Sequence, residues 1–242
     1  MARRPWVWLG LLCLGISCGF GSPARAKEGQ AGSDAGPSYP LDDIPRVLEP
    51  GSPLPCQSGD VPLVNYRGAR LKYQKPMRIH PAFQAQLAAF EALVSEVALA
   101  HYGREPQRIV HLGTYNCRVM RRYPSWVSEH ALGNAIDIAG FDFGALPRKS
   151  PRYASLPAKL RGALKVRVDS HWSASGNQQA HSDFLHDLAR KIAERPEVFH
   201  VLLGPGYPGH HNHFHLDHAP YRVVDYVEAR SSAREPAKDV RN

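Results

Sequence analysis

The sequence predicts an α+β domain, and three observations support this class. Two segments have the apolar spacing of amphipathic helices, several short segments have the composition of strands, and the two kinds do not alternate regularly. Roughly 170 residues lie between a Gly-, Ser- and Pro-rich stretch near the N-terminus and a charged C-terminal end. That length suits one domain with one hydrophobic core.

Both helices are predicted from apolar residues at three- and four-residue spacing. The first covers residues 81–102 and is expected to stop at Gly103. The second covers residues 182–194, with Ser182 as its N-cap and Pro196 beyond its end. Strands are predicted in short runs rich in Val, Ile or alternating apolar residues, at 108–115, 135–141, 166–170, 199–203 and 212–217.

The N-terminus has the form of a cleaved secretory signal. Two arginines precede an apolar run over residues 6–20, and Ala24-Arg25-Ala26 fits a cleavage site. The run is shorter than the ~20 residues that span a bilayer, so a retained anchor is the less favoured interpretation. Lipid attachment at Cys18 is a second alternative. We therefore expect a periplasmic or cell-envelope protein with no stable membrane span after cleavage.

These features divide the chain into four parts. We expect a signal peptide at 1–26, a flexible linker at 27–51, the folded domain at 52–228 and a disordered tail at 229–242. Nothing in the sequence demands an oligomer, so a monomer is expected.

Charge and cysteine content narrow the class of protein. Removal of the signal, with its three arginines, lowers the formal charge from +8 to +5. This mildly basic balance is no nucleic-acid signature but is compatible with an anionic cell wall. Of the four cysteines, Cys56 and Cys117 remain after cleavage, and an oxidising compartment favours a disulfide between them. Neither lies in a motif typical of a nucleophile or a metal ligand.

The segment 128–137 contains two metal-ligand types. His130 and Asp137 are seven residues apart, and Gly133 between them would let the chain turn back sharply. Alternation of small and branched residues around Asp137 turns that side chain to the small-residue face of a strand. Taken alone, a surface histidine and a solvated aspartate are the simpler interpretation.

A histidine-rich segment, 209–217, supplies the third ligand. A strand there would place His211, His213 and His215 on one face, with apolar neighbours directed into the core. Two histidines and an aspartate suit a hydrolytic zinc site with one open position. We predict one zinc per chain on His130, Asp137 and His215, with His213 as the catalytic proton carrier. An adventitious metal-binding patch is the alternative.

The pattern Ser-x-His-x-x-Gly-x-Ala-x-Asp with a distal His-x-His resembles the zinc DD-peptidases, which include murein endopeptidases and D-Ala-D-Ala carboxypeptidases. Together with Tyr115-Asn116-Cys117-Arg118 and Leu203-Gly204-Pro205, it is similar to the bacterial extensin-like C-terminal domain family over most of residues 52–222. The resemblance implies a Hedgehog/DD-peptidase fold, in which a small antiparallel sheet flanked by helices carries the zinc. It also implies hydrolysis of amide bonds in peptidoglycan peptides.

The same resemblance implies roles for individual residues. His213 matches the non-ligand histidine of the murein endopeptidases, and Arg118 stands where related enzymes place a substrate-anchoring residue. A surface or structural role for Arg118 is the alternative. Many members of the group supply a glutamate shortly before the last ligand, whereas here residues 210–214 contain none. We assign no catalytic role to Ser128 or Glu129, and we expect Glu129 to face water.

Three functions are compatible with these patterns. The first is an exported zinc peptidase that acts on peptidoglycan. The second is a non-catalytic cell-wall-binding module that retains a metal site. The third is a histidine-rich metal buffer, which would bind several ions with similar affinity.

Overall fold

The computed structural model describes residues 38–59 and 61–226. The predicted signal peptide, Cys18, the first part of the predicted linker and the predicted C-terminal tail lie outside the described residues. No helix within the described ranges has the length and apolar content needed to cross a membrane.

The described chain mixes short strands with two long helices, which confirms the α+β class. In chain order its elements are β1 (Val64–Tyr66), β2 (Met77–Ile79), α1 (Phe83–Tyr102), β3 (Arg108–Gly113), a 3-10 turn (Glu129–Leu132), β4 (Ala135–Phe143), β5 (Leu164–Arg167), α2 (Val168–His171), α3 (Gln179–Ala193), β6 (Val201–Leu203), β7 (Phe214–Asp217) and β8 (Val223–Asp225). Shorter 3-10 turns cover Ala158–Leu160 and Gly176–Gln178.

A six-stranded sheet is built around the long strand β4. Strand order is β3-β4-β7-β6-β8, and β5 also pairs with β4. All pairs are antiparallel except β6 with β8. β1 and β2 form a separate antiparallel pair. Because β4 is paired along its length, its backbone is held rigidly, which suits a strand that carries a functional side chain.

The main core lies between this sheet and the helices α1 and α3, which pack against each other. The apolar faces of both helices and of β4 and β7 supply its largest fully buried side chains, which include Phe83, Phe90, Tyr102, Phe141, Phe184 and Phe214. As predicted, α1 ends at Gly103, whose φ of 63° is the left-handed conformation that glycine adopts readily.

Two local predictions were wrong. α3 begins at Gln179, three residues before the predicted N-cap. Ser182 lies inside the helix, and its hydroxyl donates a hydrogen bond to the carbonyl of Trp172 at 2.7 Å. The segment predicted as a strand at 166–170 divides at Arg167, where β5 ends and α2 begins. In both cases a tertiary contact or a turn overrides the local pattern.

The described part of the predicted linker, residues 38–51, is folded onto the domain. Leu41 is 1% exposed and packs with Val127 and Leu132 in a small second core. Arg46 is also buried. The packed chain therefore starts well before residue 52, because these few apolar and charged contacts outweigh a composition typical of a tether.

Cys56 and Cys117 form the predicted disulfide, with their Cα atoms 5.8 Å apart. The bridge ties the segment that precedes β1 to the loop between β3 and the 3-10 turn. A loop closed across 61 positions restricts the unfolded chain and so favours the folded state.

Candidate metal centre

The turn before β4 places His130 over the strand. The 3-10 turn Glu129–Leu132 ends at Gly133, whose φ is 64°. A Cβ atom there would lie 2.6 Å from Leu63 Cδ2 and 2.7 Å from His80 N. Only glycine therefore fits this close approach without displacing the backbone. The sharp turn brings His130 back towards Asp137, as the spacing predicts.

Pleating of the paired strands turns the other two side chains to the same place. Ile136 and Ile138 are fully buried in the core, so Asp137 between them faces the opposite side. On β7, Phe214 and Leu216 are likewise fully buried, which leaves His215 on the face of Asp137. The two residues are directly opposite each other in the antiparallel register.

Three ligand atoms converge at nearly equal separations. The distance is 3.3 Å from His130 Nε2 to Asp137 Oδ1, 3.0 Å from His215 Nδ1 to Asp137 Oδ1, and 3.2 Å from His130 Nε2 to His215 Nδ1. Bonds of about 2.0–2.1 Å at tetrahedral angles put neighbouring zinc ligands about 3.3 Å apart. The donor types and their spacing therefore fit a tetrahedral divalent ion with three protein ligands.

Each imidazole is oriented by a hydrogen bond from its other nitrogen. His130 Nδ1 donates to the carbonyl of Thr114 at 2.7 Å, which leaves Nε2 free for an ion. His215 Nε2 donates to Asp217 Oδ2 at 2.7 Å, which directs Nδ1 towards Asp137 and His130. Such outer contacts fix the tautomer and raise the basicity of a ligand. Sequence reasoning missed Asp217, although the two-residue period of β7 places it on the same face as His215.

His213 lies beside the three ligands without joining them. Its Nε2 is 3.5 Å from Asp137 Oδ1, and its Nδ1 is 2.7 Å from Asn212 Oδ1. The amide oxygen accepts a hydrogen bond, so the proton belongs on Nδ1 and Nε2 keeps its lone pair. This atom is available to take a proton at the site. His210 packs nearby with its ring centroid 4.9 Å from that of His213, whereas His211 is exposed.

Hydrogen bonds set the charges of the cluster. Burial by itself raises the pKa of Asp137, but bonds to His130 and His215 outweigh it and hold that pKa well below its usual range. For His215, burial lowers the pKa, and contacts with Asp137 and Asp217 outweigh it and raise the pKa to about 10. A metal ligand must be deprotonated, so binding of a cation would displace the His215 proton. Burial also lowers the pKa of His213.

Glu129 is buried rather than exposed, which corrects the expectation from sequence. It is 1% exposed and forms an ion pair with Arg46, in which Nε lies 2.6 Å from Oε1. Asn134 Nδ2 donates to its other oxygen at 2.6 Å. The pair joins positions 83 apart in the sequence, so no local pattern indicates it.

Arg118 is exposed in the loop between β3 and the 3-10 turn. Its Nη1 donates to the carbonyl of Val119 at 3.2 Å, and its own carbonyl accepts a hydrogen bond from the backbone N of Ser128. In the described part of the chain, no hydrogen bond or ion pair joins its guanidinium to the three ligands. The exposed side chain is thus accessible to a molecule from solution.

A family model matches the part of the chain that carries two of the three candidate ligands. No curated protein sequence and no solved structure gives a significant match to the chain. Residues 48–146 match the family model described as extensin-like protein C-terminus, and this range contains His130, Asp137, Arg118 and both cysteines of the disulfide but ends before β7. Over residues 48–146, a little under half of its length, the chain is similar to the extensin-like protein C-terminus family.

Proposed function

We propose that this protein is an exported zinc-dependent peptidase that hydrolyses amide bonds in peptidoglycan peptides. The observation that carries the proposal is the convergence of His130 Nε2, Asp137 Oδ1 and His215 Nδ1 within 3.0–3.3 Å of one another. The Hedgehog/DD-peptidase fold is part of the proposal, and the match of the sequence motifs to zinc DD-peptidases supports it.

The site is partly open to solvent, as a hydrolytic centre requires. The side chain of Asp137 keeps 19% exposure and that of His215 keeps 12%. Three protein ligands leave a fourth position at a tetrahedral ion. A bound zinc would supply a polarising charge and a water of lowered pKa. One zinc per chain is proposed.

His213 is the proposed proton carrier. With Nδ1 held by Asn212, its Nε2 can accept a proton beside Asp137 and return it to the leaving amine. Its lowered pKa keeps the imidazole neutral, and so able to accept, at neutral pH. A histidine thus takes the role that a glutamate plays in many related enzymes.

Peptidoglycan as the substrate rests on several independent features. These are the predicted secretory signal, the net positive charge, the disulfide and the motif resemblance. We propose that the protein acts as a monomer in the periplasm or cell envelope. Arg118 is proposed to pair with a carboxylate of the stem peptide, since a guanidinium binds carboxylates bidentately.

Digestion of purified peptidoglycan tests the proposal. Zinc-loaded wild-type protein should release free D-alanine, which indicates a carboxypeptidase, or convert cross-linked dimers to monomers, which indicates an endopeptidase. Mass spectrometry of the soluble products separates the two. His215→Ala should release neither, whereas His211→Ala, which changes an exposed neighbour, should behave as wild type.

The alternative function is a cell-wall-binding module without catalytic activity. The absence of a carboxylate from residues 210–214 favours it. In that case zinc-loaded wild-type protein would sediment with peptidoglycan and release no peptide.

A further inference from the structure

A buried polar network joins the N-terminal segment 38–48 to the backbone that carries the three ligands. Glu129 and Asn134 occupy its centre, with exposed fractions of 1% and 0%. Glu129 immediately precedes His130, and Asn134 immediately precedes β4 with Asp137. The network therefore lies where two of the three ligand-bearing segments meet.

The third ligand-bearing segment enters the same network through Asn134. Its Nδ2 donates to the carbonyl of His218 at 3.0 Å, and its own carbonyl accepts a hydrogen bond from the His218 backbone N. His218 directly follows β7, which carries His215. Asn134 thus connects the ends of the segments that hold all three ligands.

Arg46 closes the network from the N-terminal side. It makes a two-point contact with Glu129, from Nε to Oε1 at 2.6 Å and from Nη2 to Oε2 at 3.2 Å. Its Nη1 donates to the carbonyls of Leu41 and Ile44, so the guanidinium is itself held in place. The hydroxyl of Tyr39 adds a hydrogen bond to Asn134 Oδ1 at 2.6 Å.

The bidentate contact fixes the direction of the Glu129 side chain, and thereby the turn that carries His130. The backbone of this turn is also tied by Asn134 N to the Glu129 carbonyl at 3.0 Å. A planar guanidinium in such a pair restricts position more than a point charge would. Outer contacts of this kind govern how well ligands are preorganised for an ion.

We infer that Arg46 is a positioning residue for the metal centre, which it acts on through Glu129 and the turn that carries His130. The inference rests on the proposed metal site and extends it to a segment whose composition indicates only a linker. In the described part of the chain, the Arg46 guanidinium contacts none of the three ligands. Removal of Arg46 should nevertheless weaken metal binding.

The experiment measures zinc affinity by competition with a chromogenic chelator, and ligand geometry by the visible absorption of the Co²⁺-loaded protein. The variants are Arg46→Met, Glu129→Gln and the double variant. Arg104→Met is the matched control, since Arg104 is also buried but bonds to the carbonyls of Tyr102, Leu160 and Gly162, away from the ligands.

Arg46→Met should raise the zinc dissociation constant about 10- to 100-fold and change the Co²⁺ spectrum. Arg104→Met should lower thermal stability and leave both metal readouts at wild-type values. In the Glu129→Gln background, the further change Arg46→Met should alter the dissociation constant less than about threefold, because the two residues act as one unit. If Arg46→Met does not fold because it leaves the buried Glu129 carboxylate unpaired, the double variant still tests the inference.

Three results would overturn the inference. Wild-type affinity and spectrum in folded Arg46→Met would reduce Arg46 to a structural role, with the proposed function intact. Equal loss of zinc affinity in Arg46→Met and Arg104→Met would mean that removal of any buried arginine weakens zinc binding by lowering the stability of the fold. A wild-type protein that binds no zinc would overturn both this inference and the proposed function.

Discussion

His215 and Asp217 form a carboxylate–histidine pair whose free nitrogen faces the other ligands. Nε2 of His215 donates to Asp217 Oδ2 at 2.7 Å, and Nδ1 lies 3.0 Å from Asp137 Oδ1. Asp217 also accepts a hydrogen bond from the backbone N of Ala219, so it is fixed independently of His215. The pair therefore presents His215 to an ion in one tautomer and one orientation.

Substitution Asp217→Asn should weaken zinc binding about 10- to 100-fold, because the carboxylate no longer orients the imidazole or raises its basicity. Chelator competition measures the change. Asp142→Asn is the matched control: it alters a buried carboxylate on β4 that pairs with Arg167 at 2.6 Å. The control should lose stability and keep its affinity. An unchanged dissociation constant in Asp217→Asn would remove Asp217 from the site.

His213→Ala should separate catalysis from metal binding. The side chain lies beside Asp137 but is not one of the three ligands, so the variant should keep its zinc. Peptide release from peptidoglycan should fall about 10²- to 10⁴-fold, the usual contribution of a general acid–base. His211→Ala provides the control for loss of a neighbouring imidazole. Undiminished release by His213→Ala would assign the proton transfer to another group.

Gly133→Ala should both destabilise the protein and weaken zinc binding. A methyl group there meets Leu63 Cδ2 at 2.6 Å and His80 N at 2.7 Å, so the turn that carries His130 must shift. Gly176→Ala is a close control, since Gly176 has φ of 57° but open space around it. Both variants incur backbone strain of about 1–2 kcal/mol. Gly133→Ala should cost about 1–3 kcal/mol more in urea unfolding.

If the two variants proved equally stable, the close approach at Gly133 would not constrain the turn. If Gly133→Ala lost stability but kept wild-type zinc affinity, the position of His130 would not depend on the turn.

His181 should make the protein sensitive to acid independently of the metal centre. It is buried, and its Nδ1 lies in a hydrogen bond with the Tyr102 hydroxyl at 2.8 Å. Burial, with the charges of His171 and Lys159, lowers its pKa to about 4. The unfolded chain, with a histidine pKa of about 6.5, therefore takes up the proton first. The stability from neutral His181 is complete above pH 6.5 and is lost as the pH falls towards 4.

Protonation of His181 lowers the free energy of unfolding by at most about 3 kcal/mol. Urea unfolding between pH 7 and 4.5 measures it. His181→Gln should flatten the dependence, while exposed His211→Gln should keep the wild-type slope. Equal slopes in all three proteins would show that His181 does not govern acid sensitivity.

The alternation of residue types along the strands and the spacing of His130 and Asp137 predicted that these side chains lie near His215, because both patterns are local in the sequence. The pleat fixes which face Asp137 and His215 occupy, and Gly133 marks the turn for His130. The contacts that surround these elements depend on residues that are distant in the sequence. Arg46 meets Glu129 across 83 positions, and a sequence pattern carries no information on such a pair. Ser182 has a residue type suited to a cap, but the hydrogen bond to Trp172 decides its place.

We propose that His130, Asp137 and His215 hold one zinc ion. Elemental mass spectrometry of purified wild-type and His130→Ala protein, gently desalted after loading with zinc, measures the zinc content of each. We expect about one zinc per chain in wild type and its loss in the variant. Wild-type protein without zinc, or equal zinc in both proteins, would contradict it.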